Sequence, residues 1–133
     1  MKKSTGAVMT TQEVANRFNE LAQQEKWFEI QDELFSDDAI SVDPKDSPWF
    51  GEAKGKAAIR KKGEDVVKGI VAVNKLFTTE PLVWGDHFAV GREQDTMHKD
   101  FGRMHINQIM LYEVKDGKII SEQFFYRPAQ KGS

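Results

Sequence analysis

Apolar side chains recur every three or four residues across 14–22, which is the spacing of one face of a helix. Thr10 and Glu13 stand three residues apart just before this run. In a capping box of this spacing, the threonine side chain binds a backbone N–H of the first turn while the glutamate reaches back to the threonine. A first helix is therefore predicted to begin directly after Thr10.

Two further helices and a short strand are predicted before residue 71. A second helical face spans 27–34 and is followed at 36–38 by a serine and two aspartates, which favour a turn. Residues 39–43 alternate as a short strand, and the stretch 43–55, with its prolines and glycines, is typical of a loop. Helical spacing then resumes over 56–70.

The C-terminal half of the chain has the pattern of strands, at roughly 74–84, 86–96, 103–114 and 118–127. Turns with the sequences WGD and KDGK separate two pairs of these strands, and the second turn contains the Asp-Gly dipeptide favoured in tight hairpins. Helices followed by a long antiparallel meander predict an α+β fold, with the helices packed on one face of a curved sheet.

Length and composition narrow the classes of function. A chain of 133 residues suits a single hydrophobic core, and 39% hydrophobic with 30% charged residues is ordinary for a folded globular protein. The formal net charge of -2 gives no electrostatic footprint for nucleic acid. The chain has no cysteine for a disulfide or a zinc site, and no apolar segment suits a signal peptide or a membrane span. We therefore expect a cytoplasmic protein with neither nucleic acid nor membrane as its partner.

Three segments, ELFSDDAISVDP, GKAAIRKKGEDVV and LYEVKDGKIISEQFFY, follow one another in an order that resembles the SnoaL-like and ketosteroid isomerase-like branch of the nuclear transport factor 2-like superfamily. The resemblance covers 11–127 and leaves short tails at 1–10 and 128–133. It implies a cystatin-like cone, in which three N-terminal helices cover a strongly curved, mainly antiparallel sheet above a deep pocket. It also implies a homodimer formed through the outer face of the sheet. Because this superfamily includes isomerases, cyclases, dehydratases, hydrolases and non-catalytic binders, the fold does not decide the function.

Ketosteroid isomerases use an aspartate before a proline, just after the first strand, as the general base that moves a proton next to a carbonyl. The sequence SVDP places Asp43 at that position. In those enzymes a tyrosine of the first helix and a protonated aspartate of a late strand hold the enolate oxygen, whereas the matching positions here are Phe18 and Met110. Since losing one such donor costs about 2.7–4 kcal/mol of transition-state stabilisation, we reject steroid isomerisation and keep the pocket and its base.

Strand parity predicts which side chains face the pocket, because residues two apart share a face. The less charged face of 104–114 carries Met104, Ile106, Gln108, Met110, Tyr112 and Val114. The bulkier face of 86–95 carries Phe88, Val90, Arg92 and Gln94. A charged Arg92 on this side needs a partner or a bound anion, and Asp43 and Glu122 are the candidates.

The last strand has two readings. The family resemblance turns Glu122 toward the pocket together with Phe124 and Tyr126. Parity alone leaves the opposite face open, because it presents an almost equally good inward set of Ile119, Gln123 and Phe125.

The leading hypothesis is a protein that binds a small, partly apolar organic molecule and acts on it as a cofactor-free isomerase, cyclase, dehydratase or hydrolase. In this hypothesis Asp43 is the general acid/base and Arg92 stabilises developing negative charge. The residues expected to bind the substrate are Phe18, Gln94, Gln108, Met110, Tyr112, Glu122 and Tyr126. No metal or other cofactor is expected, because His87, His98 and His105 do not stand at ligand spacing.

These assignments have structural alternatives. Asp43 is also typical of a turn aspartate that accepts backbone hydrogen bonds before a proline. Arg92 and Glu122 could form an ion pair with no catalytic role. For the whole chain, the competing hypothesis is a non-catalytic ligand-binding or dimerisation module whose cone is filled by apolar side chains. A pocket well below the ~300 Å³ typical of ligand sites would support that alternative.

Overall fold

The computed structural model describes residues 8–47 and 51–127. In these ranges the chain forms three helices, which are α1 (Thr11–Ala22), α2 (Trp27–Leu34) and α3 (Lys56–Gly69). It also forms seven strands, which are β1 (Phe35–Val42), β2 (Glu52–Lys54), β3 (Ile70–Thr78), β4 (Leu82–Trp84), β5 (His87–His98), β6 (Gly102–Lys115) and β7 (Lys118–Phe125). The tails predicted at 1–10 and 128–133 fall almost entirely outside the described residues.

The strands form one curved, open sheet in the order β2-β1-β7-β6-β5-β3, and β4 pairs with β5 beside this path. The pairing of β1 with β7 is parallel, and the other pairings are antiparallel. Three helices on a curved, mainly antiparallel sheet confirm the predicted α+β fold class.

The first helix begins where the sequence predicts. The backbone N–H of Glu13 donates to Thr10 Oγ1 at 3.1 Å, and the backbone N–H of Thr10 donates to Glu13 Oε1 at 2.8 Å. Both bonds of the capping box are therefore present, and they satisfy backbone groups that the first turn of a helix cannot pair internally.

The predicted turn at 36–38 is wrong, since β1 begins at Phe35 directly after α2. These polar residues lie on a stretch of β1 where the register with β7 shifts, and Ser36 Oγ donates to Asp38 Oδ1 at 3.0 Å. Both aspartates of this stretch are exposed to solvent. An irregular, exposed stretch of strand accepts turn-forming residues because they displace no core contact.

Two other predicted boundaries differ from the structure. The predicted loop 43–55 contains β2, which pairs with β1, while residues 48–50 of this loop lie outside the described part of the chain. The single strand predicted at 74–84 is two strands, β3 and β4. Pro81 lies just before β4 and lacks the N–H that a continuous ladder would require.

The core lies between the helices and the concave face of the sheet, where strand parity correctly predicts the inward residues of β5 and β6. Phe18 of α1 packs against the rings of Phe88 and Tyr112, with centroid distances of 5.0 and 4.7 Å. The rings of Phe88 and Tyr112 stack on each other at 5.0 Å. This aromatic cluster fills the cone beneath α1, so the open space of the fold lies beneath α2 and α3.

Candidate functional site

A cavity of about 490 Å³ lies between α2, α3 and the inner faces of β3, β5, β6 and β7. Its wall is mostly apolar and includes Phe28, Ile59, Val66, Leu76, Ile106 and Phe124. Ligand pockets in proteins usually measure about 300–1,000 Å³ and combine apolar walls with a few polar groups. The cavity therefore has room for a small organic molecule, and the cone is not filled by side chains.

The structure brings most of the predicted site residues together. The cavity is lined by Asp43, Arg92, Gln94, Gln108, Met110, Tyr112, Glu122 and Tyr126. Phe18 does not line it, because this side chain is completely buried in the aromatic cluster beneath α1. The cavity wall also includes charged residues that the sequence interpretation missed, which are Glu25, Lys26, Glu29 and Lys62.

Glu122 faces the cavity because β7 contains a bulge. Val114 of β6 pairs with Ile119, whereas the preceding Glu113 pairs with Ser121, so one extra residue of β7 stands between the two pairs. Ile119 and Glu122 are three apart, yet both are buried on the inner face. Strict alternation allows only one of the two, which is why parity alone left this strand ambiguous.

Asp43 and Glu122 are joined through Ser41 and Lys62. Ser41 and Glu122 are paired in the parallel register of β1 and β7, and Ser41 Oγ donates to Glu122 Oε2 at 2.7 Å. Lys62 of α3 donates to Ser41 Oγ at 2.9 Å and forms an ion pair with Asp43 Oδ2. The side chains of Lys62 and Asp43 are only 12% and 6% exposed. We call these four residues the acid–base cluster.

Tyr126 completes the surroundings of Asp43. Its hydroxyl donates to Asp43 Oδ1 at 3.0 Å and lies 3.0 Å from Ser47 Oγ. Both oxygens of Asp43 therefore accept hydrogen bonds from side chains, in addition to the backbone bond that the Asp43 N–H donates to Gly51. These partners fix the orientation of the Asp43 carboxylate within the cavity wall.

Burial is the main cause of the raised pKa values of Glu122 and Tyr112. It raises the pKa of Glu122 to about 7, while the hydrogen bond from Ser41 and the positive charge of Lys62 work in the opposite direction. Burial likewise raises the pKa of the Tyr112 hydroxyl well above its usual value, and the nearby carboxylate of Glu122 adds to this effect. Near neutral pH, Glu122 is therefore present in both protonation states, and Tyr112 keeps its proton.

Lys62 has a signal in the sequence that identifies its position. It stands three residues after Ile59 and four before Val66, so all three share one face of α3. The stem of a lysine can pack along such an apolar face while its ammonium group reaches a polar partner. Here the ammonium lies 5.4 Å from the ring centre of Phe124 and reaches the acid–base cluster.

Arg92 does not pair with Asp43 or Glu122, so the prediction of its partner is wrong. Its Nη1 and Nη2 donate to the two carboxylate oxygens of Glu25 at 3.1 and 3.0 Å, and Nη1 also donates to Thr78 Oγ1 at 2.8 Å. The guanidinium lies 4.7 Å from the ring centre of Trp27. Arg92 is thus compensated in charge and covered on one face.

Glu25 lies in the turn between α1 and α2 with a φ of 58°, a left-handed conformation that few residues other than glycine adopt. Trp27 Nε1 donates to Glu25 Oε1 at 2.7 Å. The turn therefore directs the carboxylate of Glu25 onto Arg92 and Trp27. Nothing in the hydrophobic pattern of this polar turn marks Glu25, because its position depends on one backbone angle and on strands much later in the chain.

The described residues contain no group of three or more histidine, aspartate or glutamate side chains arranged to hold a metal ion. Within 8–47 and 51–127, no helix has the length and apolar character needed to cross a membrane. The expectation that the chain works without a cofactor stays a prediction.

The SnoaL-like domain family matches residues 9–126 of the chain. This chain belongs to the SnoaL-like family. A protein from Mesorhizobium loti, provisionally described as a SnoaL-like polyketide cyclase, is 32% identical in sequence. Its crystal structure covers 89% of this SnoaL-like chain and 100% of its own, with a TM-score of 0.82.

More distant structures share the fold of this SnoaL-like domain. An NTF2-like protein from Burkholderia thailandensis is 10% identical, with a TM-score of 0.76 over 90% of this chain and 92% of its own. A protein from Bacillus subtilis, provisionally described as an isomerase, is 20% identical, with a TM-score of 0.66 over 90% of this chain and 91% of its own. No curated protein matches the chain significantly.

Proposed function

We propose that this SnoaL-like domain binds a small, partly apolar organic molecule in its cavity and transfers a proton on it without a cofactor, with Asp43 and Glu122 as the acid–base groups. The observation that carries the proposal is the acid–base cluster, in which two buried carboxylates are joined through Ser41 and Lys62 in the wall of a mostly apolar cavity. Burial raises the pKa of a carboxyl, and active sites use this effect to obtain a group that exchanges its proton near neutral pH.

Glu122 and Asp43 have different roles in this proposal. A general acid or base works best when its pKa lies near the working pH, and the pKa of Glu122 is about 7. Glu122 is therefore proposed to exchange the proton with the substrate. Asp43, which the family resemblance marks as the base, is paired with Lys62 and is proposed to hold that cation beside Glu122 or to act as the second base.

The negative charge that develops on a carbonyl oxygen needs a hydrogen-bond donor. Phe18 and Met110 occupy the positions where ketosteroid isomerases have their donors, so another residue must supply one here. Tyr112 keeps its proton near neutral pH, lines the cavity and interacts with Glu122 through its hydroxyl. This hydroxyl is the proposed donor to the substrate oxygen once Glu122 has taken up the substrate's proton. Arg92 is proposed to stabilise the charge on the substrate oxygen only through those of its N–H groups that bind neither Glu25 nor Thr78. This arrangement supports reactions that begin with removal of a proton next to a carbonyl, as in isomerisation and cyclisation.

Deuterium exchange tests the proposal without knowledge of the natural substrate. Ketones that carry an aromatic ring, such as 2-tetralone and 2-acetylnaphthalene, lose the NMR signal of an exchangeable C–H next to the carbonyl when a base removes the proton in D₂O. We expect the protein to accelerate this loss for at least one ketone of such a panel, with a rate that rises with pH around pH 7. Glu122→Gln should abolish the acceleration, and Asp43→Asn should reduce it at least tenfold.

Matched controls are available on the surface. Glu52 and Asp46 are exposed, so Glu52→Gln and Asp46→Asn should exchange at the wild-type rate. Unchanged exchange in both Glu122→Gln and Asp43→Asn would rule out the acid–base cluster as the proton-transfer site. Where exchange is lost, thermal unfolding of the variant separates a loss of proton transfer from a loss of folding.

A ligand carrier without turnover is the second candidate function. It is favoured by the apolar Phe18 and Met110, which occupy the positions of the two oxyanion donors of ketosteroid isomerases. The cavity volume of about 490 Å³ argues against the version of this function in which side chains fill the cone. Tight binding of ketones with no accelerated exchange of any of them would support the carrier.

A homodimer through the outer face of the sheet remains part of the proposal. Ile109 and Phe125 are register partners on that face, and both are about half exposed, as is Phe77 on β3. Apolar side chains exposed together in this way often mark an interface.

A further inference from the structure

The Arg92 end of the cavity is already occupied by a carboxylate of the protein itself. Glu25 accepts two hydrogen bonds from Arg92 and one from Trp27 Nε1. A ligand carboxylate at the same guanidinium would have to displace Glu25 and break these three bonds, or lie beside it as a second negative charge. The side chains of Arg92 and Glu25 are 8% and 35% exposed, so solvent would screen that repulsion only in part.

Uncharged polar groups line the cavity next to Arg92. Gln94 and Thr96 follow it on the inner face of β5, and Gln108 of β6 is its register partner. Among the described residues, the side chains of Gln94, Thr96 and Gln108 have no hydrogen-bond partner. Thr96 is only 2% exposed, and a polar group buried this deeply normally has a partner.

These two observations concern one stretch of wall. Arg92, Gln94 and Thr96 alternate along a single strand, so they extend over about 13 Å at the usual rise of an extended chain. Apolar side chains of Leu76 and Ile106 flank Gln94 in the sheet register and also line the cavity. The wall therefore offers unpaired amide and hydroxyl groups in apolar surroundings, beside a guanidinium whose charge is neutralised.

We propose that the ligand presents an uncharged oxygen, a carbonyl or a hydroxyl, to Gln94, Thr96 and Gln108, and that Glu25 excludes carboxylate ligands from Arg92. The inference rests on the proposed function only in taking this cavity as the ligand site. Its basis is complementarity, because an amide can donate to a carbonyl oxygen and accept from a hydroxyl. A site with unpaired polar groups also discriminates strongly against ligands that leave them unsatisfied.

Two probes of the same ring system test the charge preference. 2-Acetylnaphthalene is a neutral ketone, and 2-naphthoate carries a carboxylate at pH 7.5. We expect isothermal titration calorimetry to give at least tenfold tighter binding of the ketone by the wild-type protein. Tighter binding of 2-naphthoate would overturn the inference.

Glu25→Gln makes the test sharper, because it removes the negative charge but keeps the size of the side chain. The variant should bind 2-naphthoate at least tenfold more tightly than the wild type, while its affinity for the ketone changes less than threefold. Glu25→Asn is a second variant, since asparagine tolerates the left-handed backbone of this turn. Glu20→Gln, an exposed change on α1, is the matched control and should alter neither affinity. No gain of 2-naphthoate binding in either folded Glu25 variant would overturn the inference.

The amides are tested separately. Gln94→Met and Gln108→Met keep the length of the side chain and remove its hydrogen-bonding groups, so each should weaken ketone binding about fivefold, the equivalent of one hydrogen bond. Unchanged ketone affinity in the double variant would refute the role of the amides. If neither probe binds any variant, this inference fails together with the ligand site. If the probes bind as expected but Glu122→Gln leaves deuterium exchange unchanged, only the proposed acid–base chemistry fails.

Discussion

Replacing Glu122 by glutamine should change how the stability of this protein depends on pH. The pKa of Glu122 rises from an ordinary value of 4.5 to about 7 in the folded protein, because the carboxyl is buried. Below pH 4.5 the group is protonated in both the folded and the unfolded chain, so its burial carries no ionisation penalty. As pH rises above 4.5, the unfolded chain loses the proton first, and the free energy of unfolding falls until pH passes about 7.

The size of this effect follows from the shift in pKa. One pKa unit corresponds to about 1.4 kcal/mol, and integrating the two titrations from pH 5 to pH 8 gives a loss of about 2–3 kcal/mol in the wild type. Glu122→Gln has no proton to lose and should show no such loss. The amide oxygen of the introduced glutamine can still accept the hydrogen bond from Ser41, so the variant is expected to fold.

Urea denaturation at half-unit steps of pH, followed by circular dichroism, measures the effect. The quantity to compare is the difference between the two unfolding free energies at each pH, because all other titrating groups are common to both proteins. This difference should change by about 2–3 kcal/mol in favour of Glu122→Gln as pH rises from 5 to 8. Parallel profiles for the two proteins would refute the assignment of a raised pKa to Glu122.

Three further changes have expected outcomes. Lys62→Met should lower the free energy of unfolding by about 3–5 kcal/mol at pH 8 in urea denaturation, because it leaves a buried carboxylate without its cation. The exposed neighbour Lys61 gives the control, and an equal effect of Lys61→Met would contradict this explanation. Gly69→Ala should lower the free energy of unfolding by about 1–3 kcal/mol through overpacking, since a Cβ there would lie 1.8 Å from a buried histidine ring. A Cβ at Gly51 meets nothing within 4 Å, so Gly51→Ala should leave the stability unchanged. Equal stability of the two variants would refute the argument. Ile109→Asp should convert the proposed dimer to a monomer, as measured by sedimentation velocity. A monomeric wild-type protein would refute the proposed homodimer.

The sequence predicts the parts of this fold that depend on local pattern. Thr10 and Glu13 mark the start of α1, and period-two alternation correctly assigns the inward faces of β5 and β6. These predictions succeed because each rests on contacts within one element or on one buried face. The start of β1 could not be predicted in this way, since its polar residues at 36–38 are accommodated by an irregular register with a strand eighty residues later.

The sequence predicts which side chains of the candidate site face the cavity, but it does not predict which of them pair with one another. The inward face of Arg92 follows from parity, but its partner Glu25 depends on a left-handed turn between two helices. In the same way, Lys62 has a helical signal of its own, whereas its ion pair with Asp43 requires α3 to lie across β1. Pairs of this kind join elements distant in sequence, and no local pattern encodes them.

The bulge in β7 decides whether the acid–base cluster exists at all. Without the extra residue between the pairs at Ile119 and Ser121, continuous alternation from the buried Ile119 would turn Glu122 to the outer face. The carboxyl would then be solvated, its pKa would return toward 4.5, and Ser41 and Lys62 would lose their link to it. A packing residue and an ionisable residue can both face inward on this short strand only because its register shifts. The same irregularity therefore stabilises the core at Ile119 and supplies the cavity with a carboxyl that can exchange its proton near neutral pH.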